Sequence, residues 1–166
     1  MEIRLAECAG FCFGVKRAID TVYEQLAKGK TIYTYGPIVH NEEVVRELME
    51  KGVGVLEDRE ALEKLPAQSG AEAAAVIIRA HGVPAEIYQL LEEKGLECID
   101  ATCPFVKRIH RIVEKESREG SHIVIIGNPG HPEVEGIVGW CCEAATVLEE
   151  PEEAMNFILP EDRKLC

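Results

Sequence analysis

Apolar residues along the chain follow two alternating rhythms. After Gly14, Val15, Ile19, Val22 and Leu26 recur at helical spacing, and Gly29 ends the run. Residues 31–35 read as a strand. A Gly-Pro-Ile-Val-His loop then leads to Asn41, a side chain suited to cap a helix carrying Val44, Val45, Leu48 and Met49. Gly52 stops that helix, and 53–56 read as a short strand. The rhythm continues with a strand at 76–80, a helix from Pro84 to Lys94 stopped by Gly95, and a strand at 97–101. Pro104 opens a helix with Val106, Ile109 and Val113 on one face, Gly120 stops it, and 122–126 form a strand. A GNPGHPE loop, a short helix, a strand at 145–148, a helix at 152–157 and the start of a strand at 164–166 complete the pattern. A first strand is expected at 3–6, a turn at 8–12 and a small-residue linker at 66–74. Alternating strands and helices predict an α/β protein with parallel sheets. Such sheets bind ligands beyond the carboxyl ends of their strands. Cys12, His40, His81, Cys103, His131 and Glu133 all fall there.

The pattern also repeats. Sliding the chain against itself by 91 residues superposes Cys12 on Cys103, Val15-Lys16-Arg17 on Val106-Lys107-Arg108, His40 on His131 and Glu42 on Glu133. The segment 12–42 keeps ten identities in 31 positions, where unrelated segments would share about two. The repeating unit is cysteine, helix, glycine stop, apolar strand, then Gly-x-x-x-His-x-Glu. The predicted architecture is therefore one of repeated lobes, each a small parallel sheet flanked by helices.

Composition narrows the chemistry. The 166 residues are 46% hydrophobic and 29% charged, as expected of a globular protein. No apolar run is long enough to cross a bilayer, and the first residues lack the apolar stretch of a signal peptide. A net charge of −12 argues against nucleic acid or an anionic membrane as partner. An anionic small molecule would need local donors: histidines, lysines or helix N-termini. Seven cysteines without a secretory signal point to a reducing, cytoplasmic setting, where cysteines serve metal or redox chemistry more often than disulfides.

Cys12 and Cys103 each open a helix, whose N-terminus stabilises a thiolate for metal ligation or reactivity; the alternative is a small buried hydrophobe. The repeat favours the first. Burial is the expectation for Cys8, Cys98, Cys141, Cys142 and Cys166. His40, His81 and His131 could serve as metal ligands, anion donors or loop histidines. Three of them at equivalent strand ends suit a phosphate cluster. His110 and His122 are expected to be structural or solvated. Glu133 is a candidate proton donor or a glutamate answering a helix dipole, and its mate Glu42 suits the second role. Lys16, Arg17, Lys107 and Arg108 are expected on solvated faces or in helix pairing.

The segments GFCFGVKRAI, GPIVHNEEVV, RAHGVP, DATCPFVKRIH and GHPEVEG follow in this order from Gly10 to Gly136. Together they resemble the 4-hydroxy-3-methylbut-2-enyl diphosphate reductases, the iron–sulfur enzymes that end the non-mevalonate isoprenoid pathway. The resemblance implies three α/β lobes around a [4Fe-4S] cluster, each lobe giving one cysteine. It implies Cys12 and Cys103 as cluster ligands, His40, His81 and His131 as ligands of an allylic diphosphate, and Glu133 as proton donor. It further implies electrons from a ferredoxin- or flavodoxin-type protein, and isopentenyl and dimethylallyl diphosphates as products. The family's third cysteine, Gln-Thr-Thr loop and Ser/Asn-rich diphosphate loop have no counterpart here. A third repeat would place its cysteine near position 194, and the mate of His81 would fall at 172, both beyond Cys166. The expected division is a first lobe at 13–102 and an incomplete second lobe at 103–166, with 1–12 joining a third lobe absent from this chain; alone, the chain is expected to be inactive. A phosphate-binding module without catalysis, or a zinc or thiol-redox protein, would use the same residues differently.

Overall fold

The computed structural model describes residues 3–4, 9–67, 74–160 and 163–166. Most of the strand expected at 3–6, Cys8, and most of the linker at 66–74 lie outside the described residues. The elements in order are α1 (Phe13–Ala27), β1 (Ile32–Tyr35), α2 (Glu42–Glu50), β2 (Gly54–Leu56), α3 (Arg59–Glu63), β3 (Ala75–Ile78), α4 (Ala85–Glu93), β4 (Glu97–Asp100), α5 (Pro104–Arg118), β5 (Val124–Ile126), α6 (Pro132–Val138), β6 (Thr146–Leu148) and α7 (Pro151–Asn156).

Local chemistry sets most of these boundaries. The Asn41 side chain accepts from the Val44 N–H at 3.1 Å, one of the donors a helix start leaves unpaired. Asp58 caps α3 the same way, accepting from Ala61 N at 2.8 Å. The sequence pattern does not announce α3, because five residues are too few to show a helical period. Gly29 and Gly120 close α1 and α5 with φ of 72° and 89°, a conformation that costs most side chains free energy.

Strands β1 to β4 form a parallel sheet in the order β2-β1-β3-β4. Alternation along β3 divides the core. Ile77 faces Ala18 and Val22 of α1 and Leu48 of α2, whereas Val76 and Ile78 face Leu62 of α3 and Ile87 and Leu91 of α4. With helices on both faces, every β3 residue is buried. Strands β5 and β6 form a second parallel pair, and His122 bridges Leu165. Its core is smaller: Val113, Ile123 and Ile137, with Trp140 and Ile125 packed against them.

The repeat is structural. A shift of 91 residues carries both ends of α1 onto both ends of α5. The Ala75 N–H bonds the Thr31 carbonyl at 2.9 Å, and its mate Cys166 bonds His122 at the same distance. One extra residue precedes β6: Gly36 donates to Leu56 O at 2.7 Å, whereas Gly127 donates to Leu148 O at 2.9 Å.

One expectation is corrected. Cys98, Cys142 and Cys166 are exposed and Cys141 is half-buried, not packed inside. Cys98 stands on the edge strand β4, and the other three belong to the thinner second layer, where few apolar neighbours are at hand.

Candidate functional site

Strand ends position the histidines. After β1, buried Ile38 and Val39 pin the loop and leave His40 at its exposed tip. His81 stands three residues past β3, in a turn closed by Gly82 N donating to Arg79 O at 3.0 Å. Gly82 is required twice: its φ is +73°, and a Cβ would meet His110 Cε1 at 2.5 Å. His131 occupies the N-cap of α6, where its Nδ1 accepts from the Glu133 N–H at 3.2 Å. A neutral His131 therefore carries its proton on Nε2, which leaves that N–H free to donate outward.

These loops bring the three rings together. His40 and His81 have centroids 4.8 Å apart, His40 and His131 5.8 Å, and His81 and His131 5.7 Å. Glu133 joins them through its Oε2, 3.0 Å from His81 Nδ1. Burial and the neighbouring His81, His131 and Arg79 hold the His40 imidazole below its ordinary pKa. Among the described residues no three His, Cys, Asp or Glu side chains are gathered to hold one metal ion. Clustered N–H donors of this kind suit an anion with several oxygens.

The cysteines stand at the starts of α1 and α5, where neither side chain is spent on capping. The two helix starts adjoin. A Cβ on Gly14, two residues past Cys12, would lie 2.9 Å from Cys103 Sγ. The Cys103 N–H bonds the carbonyl of Ala80, which adjoins His81, at 2.9 Å. Thiol turn and histidine turn are thereby tied together. Of the two roles expected for Arg17, a solvated face or helix pairing, the structure shows the second: its Nη2 donates to Thr102 O at 2.8 Å and clamps the Cys103 turn from α1. Lys107 pairs with Asp100 at 2.6 Å, and Asp100 accepts from Thr102 N at 2.9 Å. Burial would raise the Asp100 carboxyl, but these bonds outweigh it and hold the group below its usual range. His110 is structural, as expected, stacked on Trp140 with centroids 5.3 Å apart.

Neither the repeat nor the helical and strand periodicity marks Arg79. It follows the four buried residues of β3, and only 9% of it is exposed. Its guanidinium lies against Gly36, where a Cβ would overlap it. Burial lowers its pKa, with Tyr35 and Glu135 opposing. An arginine ending an apolar strand, in the AVIIRAHG segment, is the signal that could have marked it.

Fold and site together define an α/β scaffold with an anion-suited imidazole cluster beside two free thiols at helix starts. The chain belongs to the LytB protein family, whose profile matches residues 3–166. It is 51% identical over 168 aligned positions to the 4-hydroxy-3-methylbut-2-enyl diphosphate reductase of Caldanaerobacter subterraneus subsp. tengcongensis, covering 100% of this chain and 56% of the relative. It is 38% identical to the reductase of the same name from Clostridioides difficile, covering 100% of this chain and 57% of the relative. The structure of the E-1-hydroxy-2-methyl-but-2-enyl-4-diphosphate reductase from Plasmodium falciparum superposes with a TM-score of 0.85 at 33% identity, over 96% of this chain and 48% of that one. The chain thus spans about half the length of the curated relatives it matches. No helix among the described residues is long and apolar enough to cross a membrane.

Proposed function

We propose that this chain supplies the diphosphate-binding and proton-delivering part of a 4-hydroxy-3-methylbut-2-enyl diphosphate reductase, with two of the thiolates of its iron–sulfur cluster. The observation that carries the reading is the convergence of His40, His81 and His131, with Glu133 bonded to His81. The reaction removes an allylic hydroxyl as water, consuming two electrons and two protons, and yields isopentenyl and dimethylallyl diphosphates.

His131 donates to a diphosphate oxygen through Nε2–H, the tautomer its bond from Glu133 N selects. His40 adds a second donor from the opposite loop. His81 spends Nδ1 on Glu133 and turns Nε2 to the ligand; when the ring is charged, both nitrogens donate. Ligand and proton source are thus joined through one imidazole: Glu133 delivers a proton toward the departing hydroxyl, and His81 orients its carboxyl. When bound, the cluster supplies the electrons and an open iron for the hydroxyl. Cys12 and Cys103 fit its requirements, being uncommitted thiols on adjoining helix starts. A four-iron cluster with one open iron needs a third thiolate, which in this proposal comes from the part of the longer relatives that this chain does not span. A ferredoxin- or flavodoxin-type protein delivers the electrons, and a cytoplasmic setting, being reducing, suits free thiols.

The test uses the full-length protein, loaded with iron and sulfide under anaerobic conditions. Replacing His40, His81 or His131 by Ala should weaken binding of the diphosphate substrate by about 10- to 100-fold each. Glu133→Gln should leave binding near normal and slow turnover by at least about 100-fold. Cys12→Ser or Cys103→Ser should lower bound iron. Glu133→Gln turning over normally would remove Glu133 from the reaction. Zinc in place of iron would turn the reading toward a zinc or thiol-redox protein, and ligand binding without any cluster toward a binding module. The 166-residue chain alone should hold at most labile, substoichiometric iron and show no reductase activity.

A further inference from the structure

We infer that Arg79 is a further anion-binding residue: a fixed cation beneath the imidazole cluster, whose counter-charge is supplied by the bound diphosphate. The inference rests on the reading of His40, His81 and His131 as an anion site.

The first observation is a buried charge without a partner. Arg79 is 9% exposed, and its Nε forms no hydrogen bond within the protein. Among the described residues the side chain forms no ion pair. Tyr35 and Glu135 act on it electrostatically, but neither is bonded to it. Taking a guanidinium out of water unpaired is costly, and folded proteins ordinarily pair such groups. Of two half-buried cations near the site, Lys107 has its carboxylate in Asp100, and Arg17 donates to the Thr102 carbonyl.

The second observation is that the backbone makes room for this charge. Gly36 adopts φ +67°, and any Cβ there would overlap the guanidinium. Its repeat mate Gly127 shows no such demand: a Cβ there would meet only Val134 Cγ2, at 3.2 Å. The slot belongs to the lobe that carries Arg79 and not to the repeat in general.

The third observation is where the slot lies. Gly36 begins the loop that carries His40, and Arg79 O closes the turn that carries His81. The charge on Arg79 is felt at His40. An anion held by the three imidazoles therefore lies near a buried cation that, among the described residues, has no carboxylate bonded to it. A guanidinium stays charged where a neutral imidazole offers at most one N–H, so it keeps the site cationic when the histidines are not.

A purely structural arginine and one kept for a ligand respond oppositely to removal. Loss of a structural arginine loosens the fold. Loss of a desolvated, unpaired one relieves a cost and weakens only the ligand. The test titrates the 166-residue chain with inorganic pyrophosphate by calorimetry at neutral pH, comparing wild type, Arg79→Met, Arg79→Lys and His81→Ala, with the thermal midpoint of each measured without ligand. Arg79→Met should bind pyrophosphate about 10- to 100-fold more weakly. Arg79→Lys should recover part of the loss. The midpoint of unliganded Arg79→Met should equal or exceed that of wild type. Unchanged binding by Arg79→Met, with His81→Ala impaired, would overturn the inference and leave the histidine site standing. A lowered midpoint or failure to fold in Arg79→Met, restored in Arg79→Lys, would make the residue structural and also overturn it. A wild-type chain that ignores pyrophosphate would overturn this inference together with the reading of the histidines on which it rests.

Discussion

Tyr35 and Ile126 are repeat mates at the ends of β1 and β5, yet Tyr35 is 8% exposed and Ile126 is 84% exposed. The two strands occupy equivalent places in the repeat, each following a helix of the same length. Their surroundings differ. β1 lies between β2 and β3, with helices above and below, so both of its faces find apolar partners. β5 has β6 on one side and the short bridge to Leu165 on the other, and no β5 residue is fully buried. Periodicity sets which residues form a strand; the layers around that strand set how much apolar surface leaves water and hence how much it stabilises.

The comparison can be broken most directly in the cores. Ile77→Ala, in fully buried β3, should destabilise by about 2–5 kcal/mol, whereas Ile126→Ala should stay within about 0.5 kcal/mol. Urea unfolding followed by circular dichroism measures both. Equal effects would mean that the second sheet is as well supported as the first.

A smaller effect separates the two long helices. The mate of Ile19 in α1 is His110 in α5, 3% exposed, with an Nε2 that makes no hydrogen bond. Burial pushes its pKa below the ordinary value, against the charges of Asp100 and Glu133. The unfolded chain then binds this proton more readily than the folded one. The stability from His110 is full above about pH 6.5 and is lost as the pH falls below it, by at most about 1.4 kcal/mol per pH unit. His110→Ile, which copies the first unit, should flatten that acid loss in urea titrations between about pH 7 and pH 5.

The lysine mates differ by less. Lys107→Ala breaks a half-buried pair with Asp100 and should cost about 1 kcal/mol. Lys16→Ala breaks an exposed pair with Asp20 and should cost about 0–0.5 kcal/mol. Double-mutant cycles with Asp100→Ala and Asp20→Ala isolate the two couplings.

In Gly14→Ala two effects on stability oppose each other. The gain in helix propensity, about 0.5–1 kcal/mol, is offset by displacement of the Cys103 thiol, 2.9 Å from the new methyl. The net change should be under about 1 kcal/mol, while the rate of thiol labelling at Cys103 changes. Phe105, the mate of Gly14, is 74% exposed, and Phe105→Ala should leave that rate unchanged.

Much of this protein was determined by the sequence alone, because the signals were local. Helical spacing from Val15 to Leu26, the Asn41 cap and the stops at Gly29 and Gly120 each act within one or two turns of chain. The 91-residue repeat carried the site a step further by putting Cys12, Cys103, His40 and His131 at matching element ends. Short α3 escaped, since one turn cannot show a period and Asp58 alone announces it. The tertiary structure decided what depends on distance in space. It set the β2-β1-β3-β4 order, the bond between His81 and Glu133, and the clamp of Arg17 on the Cys103 turn. It also decided that Arg79 is buried with no ion pair among the described residues while Cys98 is exposed, because burial and pairing are properties of the neighbours that packing assembles, and a side chain does not carry them along the chain.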